Sequence, residues 1–203
     1  FNNLPILKKI DDNVLKAIKF DLDDYDYSDK YKEFMLADDF NIETIIKNKK
    51  MAIPKKNNKF IINSELCIGI TVKNIAKGFE KNIKMVEMIC SLFKKSSIIF
   101  FEDGSKDDTV DKINKYCSKN KFAMIISEIN DVEYRTVRLS RARNICLKIA
   151  RYLDPTYYLV VDFDSIAIGL TKKGFLSIFK RKEDWGSISA NSKNDYYYDI
   201  WAL

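Results

Sequence analysis

The chain has 203 residues, 46% hydrophobic and 32% charged, with a formal net charge of +6: enough apolar material for one domain with a real core. It contains no histidine, which excludes imidazole bases, Ser-His-Asp triads and His–Zn sites, so any acid–base work falls to carboxylates, Tyr, Lys or Cys. No apolar run reaches the roughly 18 residues of a membrane span, and the lysines are scattered without interleaved aromatics, so an anionic small ligand is expected rather than nucleic acid.

Residues 1–60 read as an N-terminal extension of short helices and linker. Asp21, Asp23, Asp24, Asp26 and Asp29 crowd one stretch, read as a solvated acidic face, and a basic, Asn-rich run from Lys47 to Lys59 surrounds Pro54. From residue 64 onward the pattern alternates. Residues 66–72 read as a strand, and Phe79, Ile83, Val86, Cys90 and Phe93 fall at helical spacing. Residues 97–101 read as a second strand, followed by Gly104-Ser105 as turn and cap and a helix over 107–117. A third strand is expected at 122–126. Ser140 reads as the cap of a helix ending near Leu153, where Pro155 enforces the stop, and residues 157–161 form a fourth strand. Residues 185–190 are a candidate fifth.

Strands alternating with helices predict an α/β fold, a mostly parallel, Rossmann-like sheet flanked by helices. In such sheets ligands bind outside the carboxyl ends of the strands, at the point where the winding reverses. That rule gathers Thr71-Val72-Lys73-Asn74, Glu102-Asp103-Gly104-Ser105 and Asp162-Phe163-Asp164 at one edge. No G-x-G-x-x-G follows the first strand, which argues against the usual dinucleotide fold. Asp162 and Asp164, one residue apart after an apolar strand, suit a hard cation such as Mn²⁺ or Mg²⁺ that keeps positions open for phosphate oxygens. Glu102 or Asp103 can accept N–H groups of a nucleobase. Arg135, Arg138, Arg141 and Arg143 crowd the approach to the next helix, where cations are disfavoured unless an anion compensates. The four cysteines are widely spaced and read as buried free thiols; with no N-x-S/T acceptor, a cytoplasmic location is expected. A haloacid-dehalogenase-type phosphatase fits poorly, because Ile166 stands where that motif wants Thr and the motif belongs after the first strand.

ITVKN, FFEDGSKDDT, SRARNICLKIA and VVDFDS occur in the order and rough spacing of family 2-like glycosyltransferases with the GT-A fold, over about residues 64–170, which this chain therefore resembles. Residues 189–203, SANSKNDYYYDIWAL, are similar to a segment of glycosyltransferases related to the cryptococcal α-mannosyltransferases. The resemblance implies a GT-A domain over residues 64–203, C-terminally incomplete. The implied activity is metal-dependent hexosyl transfer from a UDP- or GDP-linked sugar to a glycan, protein or lipid hydroxyl. Carried over residue by residue, it implies nucleotide binding by Thr71, Val72, Lys73, Glu102, Asp103, Arg143, Asn144 and Asp162, and Mn²⁺ (or Mg²⁺) binding by Asp162 and Asp164. Asp195 and Asp199 are the candidates for the catalytic base by position. Glu102 in place of the family's first Asp, and Thr71-Val72-Lys73 without its Pro and Tyr, leave the base identity open. The alternative is a non-catalytic GT-A-like module that binds nucleotide or carbohydrate, or acts as a scaffold.

Overall fold

The computed structural model describes residues 40–49, 51–52, 54–129, 132–164, 170–180 and 185–188. In chain order these form α1 (Ile42–Asn48), β1 (Ile62–Val72), α2 (Phe79–Cys90), β2 (Phe93–Glu102), α3 (Thr109–Lys119), β3 (Ala123–Ser127), α4 (Arg135–Leu153), β4 (Tyr157–Asp162) and α5 (Lys172–Ser177), which runs into a short 3₁₀ turn, Ile178–Lys180. The four strands are all parallel, in the order β3-β2-β1-β4. This is the α/β, helix-flanked sheet expected from the alternation. Residues 1–39, which carry the acidic cluster, lie outside the described residues. Residues 185–188 carry no strand. Trp185 instead stacks on Tyr157 of β4, ring centroids 5.6 Å apart.

Each central strand is buried on both faces, which explains why β1 and β2 read as continuous apolar runs. Leu66, Ile68, Ile70 and Val72 of β1 join Ile98 and Phe100 of β2 in a core with Phe79, Ile83 and Val86 of α2, Ile113 of α3 and Phe175 of α5. Cys67, Ile99 and Phe101 face the other way, against Ala142, Ile145, Cys146 and Ile149 of α4 and Ile42 of α1. Each fully buried Phe or Ile contributes about 1.5–3 kcal/mol relative to exposure. Helix α1, from the part read as an N-terminal extension, packs on this second core through buried Ile42 and half-buried Ile45 and Ile46.

Two helix boundaries depart from expectation. Helix α4 begins at Arg135, five residues before Ser140, with Tyr134 extended at the N-cap and no side-chain cap. The buried stripe of Arg141, Ala142, Ile145 and Ile149 continues back to Val137, and burying Val137 outweighs the local capping signal of Ser140. Helix α3 begins at Thr109, and Ser105 is not its cap. At the other end of α4, Asp154 adopts a left-handed conformation (φ 49°) and its N–H donates to the Ala150 carbonyl (3.0 Å), with Pro155 next, as a helix stop requires.

All four cysteines are free; Cys67 and Cys146 are buried and Cys90 and Cys117 half-buried. Burial pushes the Cys67 thiol up to about 11 and the other three up to about 12. Cys67 shares its face of β1 with Gly69, and the missing side chain there makes room for Tyr158 of β4. A Cβ at position 69 would meet the Tyr158 hydroxyl and lie 2.9 Å from its Cζ. That hydroxyl is buried and finds no hydrogen-bond partner among the described residues. Gly69→Ala is expected to destabilise by about 1–3 kcal/mol through overpacking, whereas Tyr158→Phe should be neutral or stabilising, because it deletes an unsatisfied buried group. Urea unfolding midpoints at constant slope measure both.

Candidate functional site

The parallel register brings the strand ends level. Val72 pairs with Glu102, Thr71 with Asp162, and Glu102 with Ser127. Because α2 and α3 pack on one face of the sheet and α4 on the other, the winding reverses between β1 and β4, and a crevice opens above that junction. A cavity of about 540 Å³ occupies it, lined by Thr71, Val72 and Lys73 of the first segment, Asp103 of the second, Arg135 and Arg138 of α4, and Asp162 and Asp164 of the fourth strand end. A smaller cavity, about 280 Å³, lies at the amino edge of the sheet against Glu65, Leu66 and Pro155, far along the strands from these residues.

Two loops wall the cavity, and they are fastened to each other. Asn74 adopts a left-handed conformation (φ 52°), which Asn tolerates better than most residues. Its N–H donates to Ser105 Oγ (2.8 Å) and its Oδ1 accepts from the Lys106 N–H (2.8 Å). The Ile75 N–H donates to Thr109 Oγ1 (2.8 Å), and the Ala76 N–H to Asp107 Oδ2 (3.0 Å). Asp107 Oδ1 in turn accepts from the N–H (3.1 Å) and hydroxyl (2.5 Å) of Thr109. The Asp103 N–H completes the seam by donating to the Val72 carbonyl (3.1 Å). Ser105, Asp107 and Thr109 thus fix the neighbouring loop, a role invisible in the sequence beyond the general turn-forming character of Asn, Ser and Asp.

The two acidic residues at the end of β2 part company. Glu102 is 2% exposed and its carboxylate accepts from the Ser105 N–H, which holds the turn at Gly104 (φ 67°). Asp103 faces the cavity, where its Oδ2 pairs with Lys73 Nζ (3.3 Å) and Arg138 Nε (3.1 Å). Arg138 also donates through Nη1 to the carbonyls of Val132 (2.6 Å) and Glu133 (2.8 Å). Of the four clustered arginines, Arg135 and Arg138 line the cavity, Arg143 reaches Asp162 (Nη2 to Oδ1, 3.3 Å), and Arg141 turns inward to Glu128. Asn144 is exposed on α4 beside Arg143. Arg135 and Arg138 emerged in the sequence only as members of a basic cluster, because their direction depends on α4 starting at Arg135. Asp195 and Asp199 lie outside the described residues.

Asp162 and Asp164 are exposed at the end of β4 and open on the cavity, while Phe163 between them is buried. Among the described residues no third acidic or thiol side chain converges there as a ligand group. Two carboxylates still fit Mn²⁺ or Mg²⁺, which commonly take one or two protein oxygens and complete their shell with water and phosphate. Two guanidinium side chains beside an uncapped helix N-terminus favour an anionic occupant. Among the described residues no helix is long and apolar enough to cross a membrane. No protein-family model and no curated protein matches this chain.

The Thr109 hydroxyl holds Asp107 below the ordinary carboxylate value of 3.8. A depressed carboxyl stabilises the fold fully above its unfolded value, and that contribution is lost as pH falls through the lowered one. Melting temperature should therefore fall on acidification below about pH 4, less steeply in Asp107→Asn. Thr109→Val, which leaves the buried Ile75 N–H without its acceptor, should cost about 1–3 kcal/mol. Thr109→Ser should retain most of it, read by urea unfolding at neutral pH.

Proposed function

We propose that this chain is a metal-dependent glycosyltransferase domain that moves a hexosyl group from a UDP- or GDP-linked sugar to a hydroxyl of a glycan, protein or lipid. The observation that carries the reading is the single cavity at the winding reversal, lined at once by a carboxylate suited to a base, two arginines and a carboxylate pair. The order and spacing of the GT-A-like motifs support it independently.

In this reading the wall of Thr71, Val72 and Lys73 receives the nucleoside, and Asp103 accepts N–H groups of the base. Arg135 and Arg138 hold the diphosphate at the start of α4, and Arg143 keeps the Asp162 carboxylate oriented through their ion pair. Asp162 and Asp164 would hold Mn²⁺ or Mg²⁺, which would supply neutralisation of the charge on the diphosphate leaving group. The acceptor oxygen forms its bond to the anomeric carbon while the sugar–phosphate C–O bond breaks, and the nucleoside diphosphate leaves with the electron pair. The arginines meet the negative charge that develops there, so they bind the departing state more tightly than the intact donor. The acceptor proton passes to a carboxylate, for which Asp195 and Asp199 remain the candidates in an inverting reaction.

A thermal-shift panel of UDP, GDP, CDP and their sugars, each with and without Mn²⁺, tests this. A ligand that binds only the folded state stabilises it by about 2.7 kcal/mol at a hundredfold excess over Kd. One nucleotide should raise the melting temperature only with metal, and Asp164→Ala should abolish that shift while the ligand-free melt stays within a few degrees. A shift that persists unchanged in Asp164→Ala removes the metal assignment. No shift with any nucleotide removes the donor site.

A further inference from the structure

Arg141 belongs to the arginine cluster yet does not line the cavity, and it is 4% exposed. A guanidinium so far from water needs strong compensation. One edge meets Glu128, with Nε 2.9 Å and 3.0 Å from the two carboxylate oxygens. Its charged carbon lies 5.2 Å from the ring centroid of Phe40, within cation–π range. Glu128 directly follows β3, and its N–H donates to the Glu102 carbonyl (3.1 Å), so it is tied to the strand end that carries Asp103. One helical turn before Arg141 on α4, Arg138 reaches Asp103 itself.

We infer that Phe40, Arg141 and Glu128 form a brace that sets α4 against the ends of β2 and β3, with Arg141 a positioning residue for the Arg138–Asp103 pair. The residues entering α1 are thereby part of the cavity's construction. Phe40 covers the ion pair, and covering it keeps the local dielectric low and the pair strong. Losing the ring admits water to Arg141, loosens its hold on Glu128, and frees the first turns of α4 to shift away from Asp103. Ile42, two residues on, anchors the segment in the core shared with Phe101 and Ile145, which holds Phe40 over the guanidinium.

Phe40→Leu keeps an apolar side chain and deletes the ring, whereas Phe40→Tyr keeps the ring. Ligand-free hydrogen exchange should rise over residues 102–105 and 132–141 in Phe40→Leu, stay near wild type in Phe40→Tyr, and remain unchanged at the centre of β1 in both. A rise confined to residues 40–49 in Phe40→Leu, or no rise at all, overturns the brace. Glu128→Gln should loosen the same segments, and the double variant with Phe40→Leu should fall short of additivity because both act through Arg141. A second arm rests on the nucleotide-binding reading above. The Kd for the stabilising nucleotide with Mn²⁺ should weaken roughly three- to tenfold in Phe40→Leu and recover in Phe40→Tyr. Equal affinity in both counts against the brace. Failure of wild type to bind any nucleotide counts against the function alone, and the exchange data then decide the brace.

Discussion

Helices α2 and α3 carry the chain from β1 outward to β3 across one face of the sheet, and α4 returns it across the opposite face to β4. Every other property of the site follows from that reversal. At the β1–β4 junction no crossover helix fills the space above the strand ends, so a crevice is left by topology. The parallel register then sets Thr71, Asp162, Val72 and Glu102 at one level. Chemistry-bearing residues need only stand one or two positions beyond the last apolar residue of each strand to share a cavity.

Electrostatics determine what that cavity accepts. Lys73 and Arg138 converge on one carboxylate oxygen of Asp103, so two cations share a single anionic atom. The Asp103 carboxylate keeps further acceptor capacity, and the guanidinium and ammonium keep further donors. A ligand that brings both N–H donors and phosphate oxygens can exchange partners with all three groups without leaving any of them unpaired. The walls cost little to hold in place, because the seam between the loops at Asn74 and Asp107 orders them ahead of any ligand.

The strands were legible in the sequence because parallel strands buried on both faces are uninterrupted apolar runs, and a run such as IIFF ends sharply at Glu102. Asp103, Asp162 and Asp164 were legible for the same reason: their place at strand ends follows once the strands are known. The start of α4 was not legible, since Ser140 carries a strong local cap signal and the value of burying Val137 is tertiary. The division of labour between Glu102 and Asp103 was hidden too, because adjacent strand residues face opposite ways and only the turn at Gly104 decides which carboxylate is enclosed. Ser105 looked like a local turn and cap residue and Thr109 carried no signal of its own, yet each accepts from a backbone N–H more than thirty positions away in sequence. Asp195 and Asp199 stand on sequence alone.

The four thiols carry a practical consequence. Each sits on a different element, Cys67 on β1, Cys90 on α2, Cys117 on α3 and Cys146 on α4. Burial raises all four thiols to about 11 or 12, so little thiolate forms in the folded state near neutral pH. Alkylating reagents attack the thiolate, so labelling of the buried Cys67 and Cys146 must wait until β1 or α4 opens, whereas the half-buried Cys90 and Cys117 are partly within reach of reagent in the folded state. Mass-resolved alkylation of the native chain would then act as two separate clocks, one on β1 and one on α4, timing local openings on the inner faces of this domain with no engineered probe.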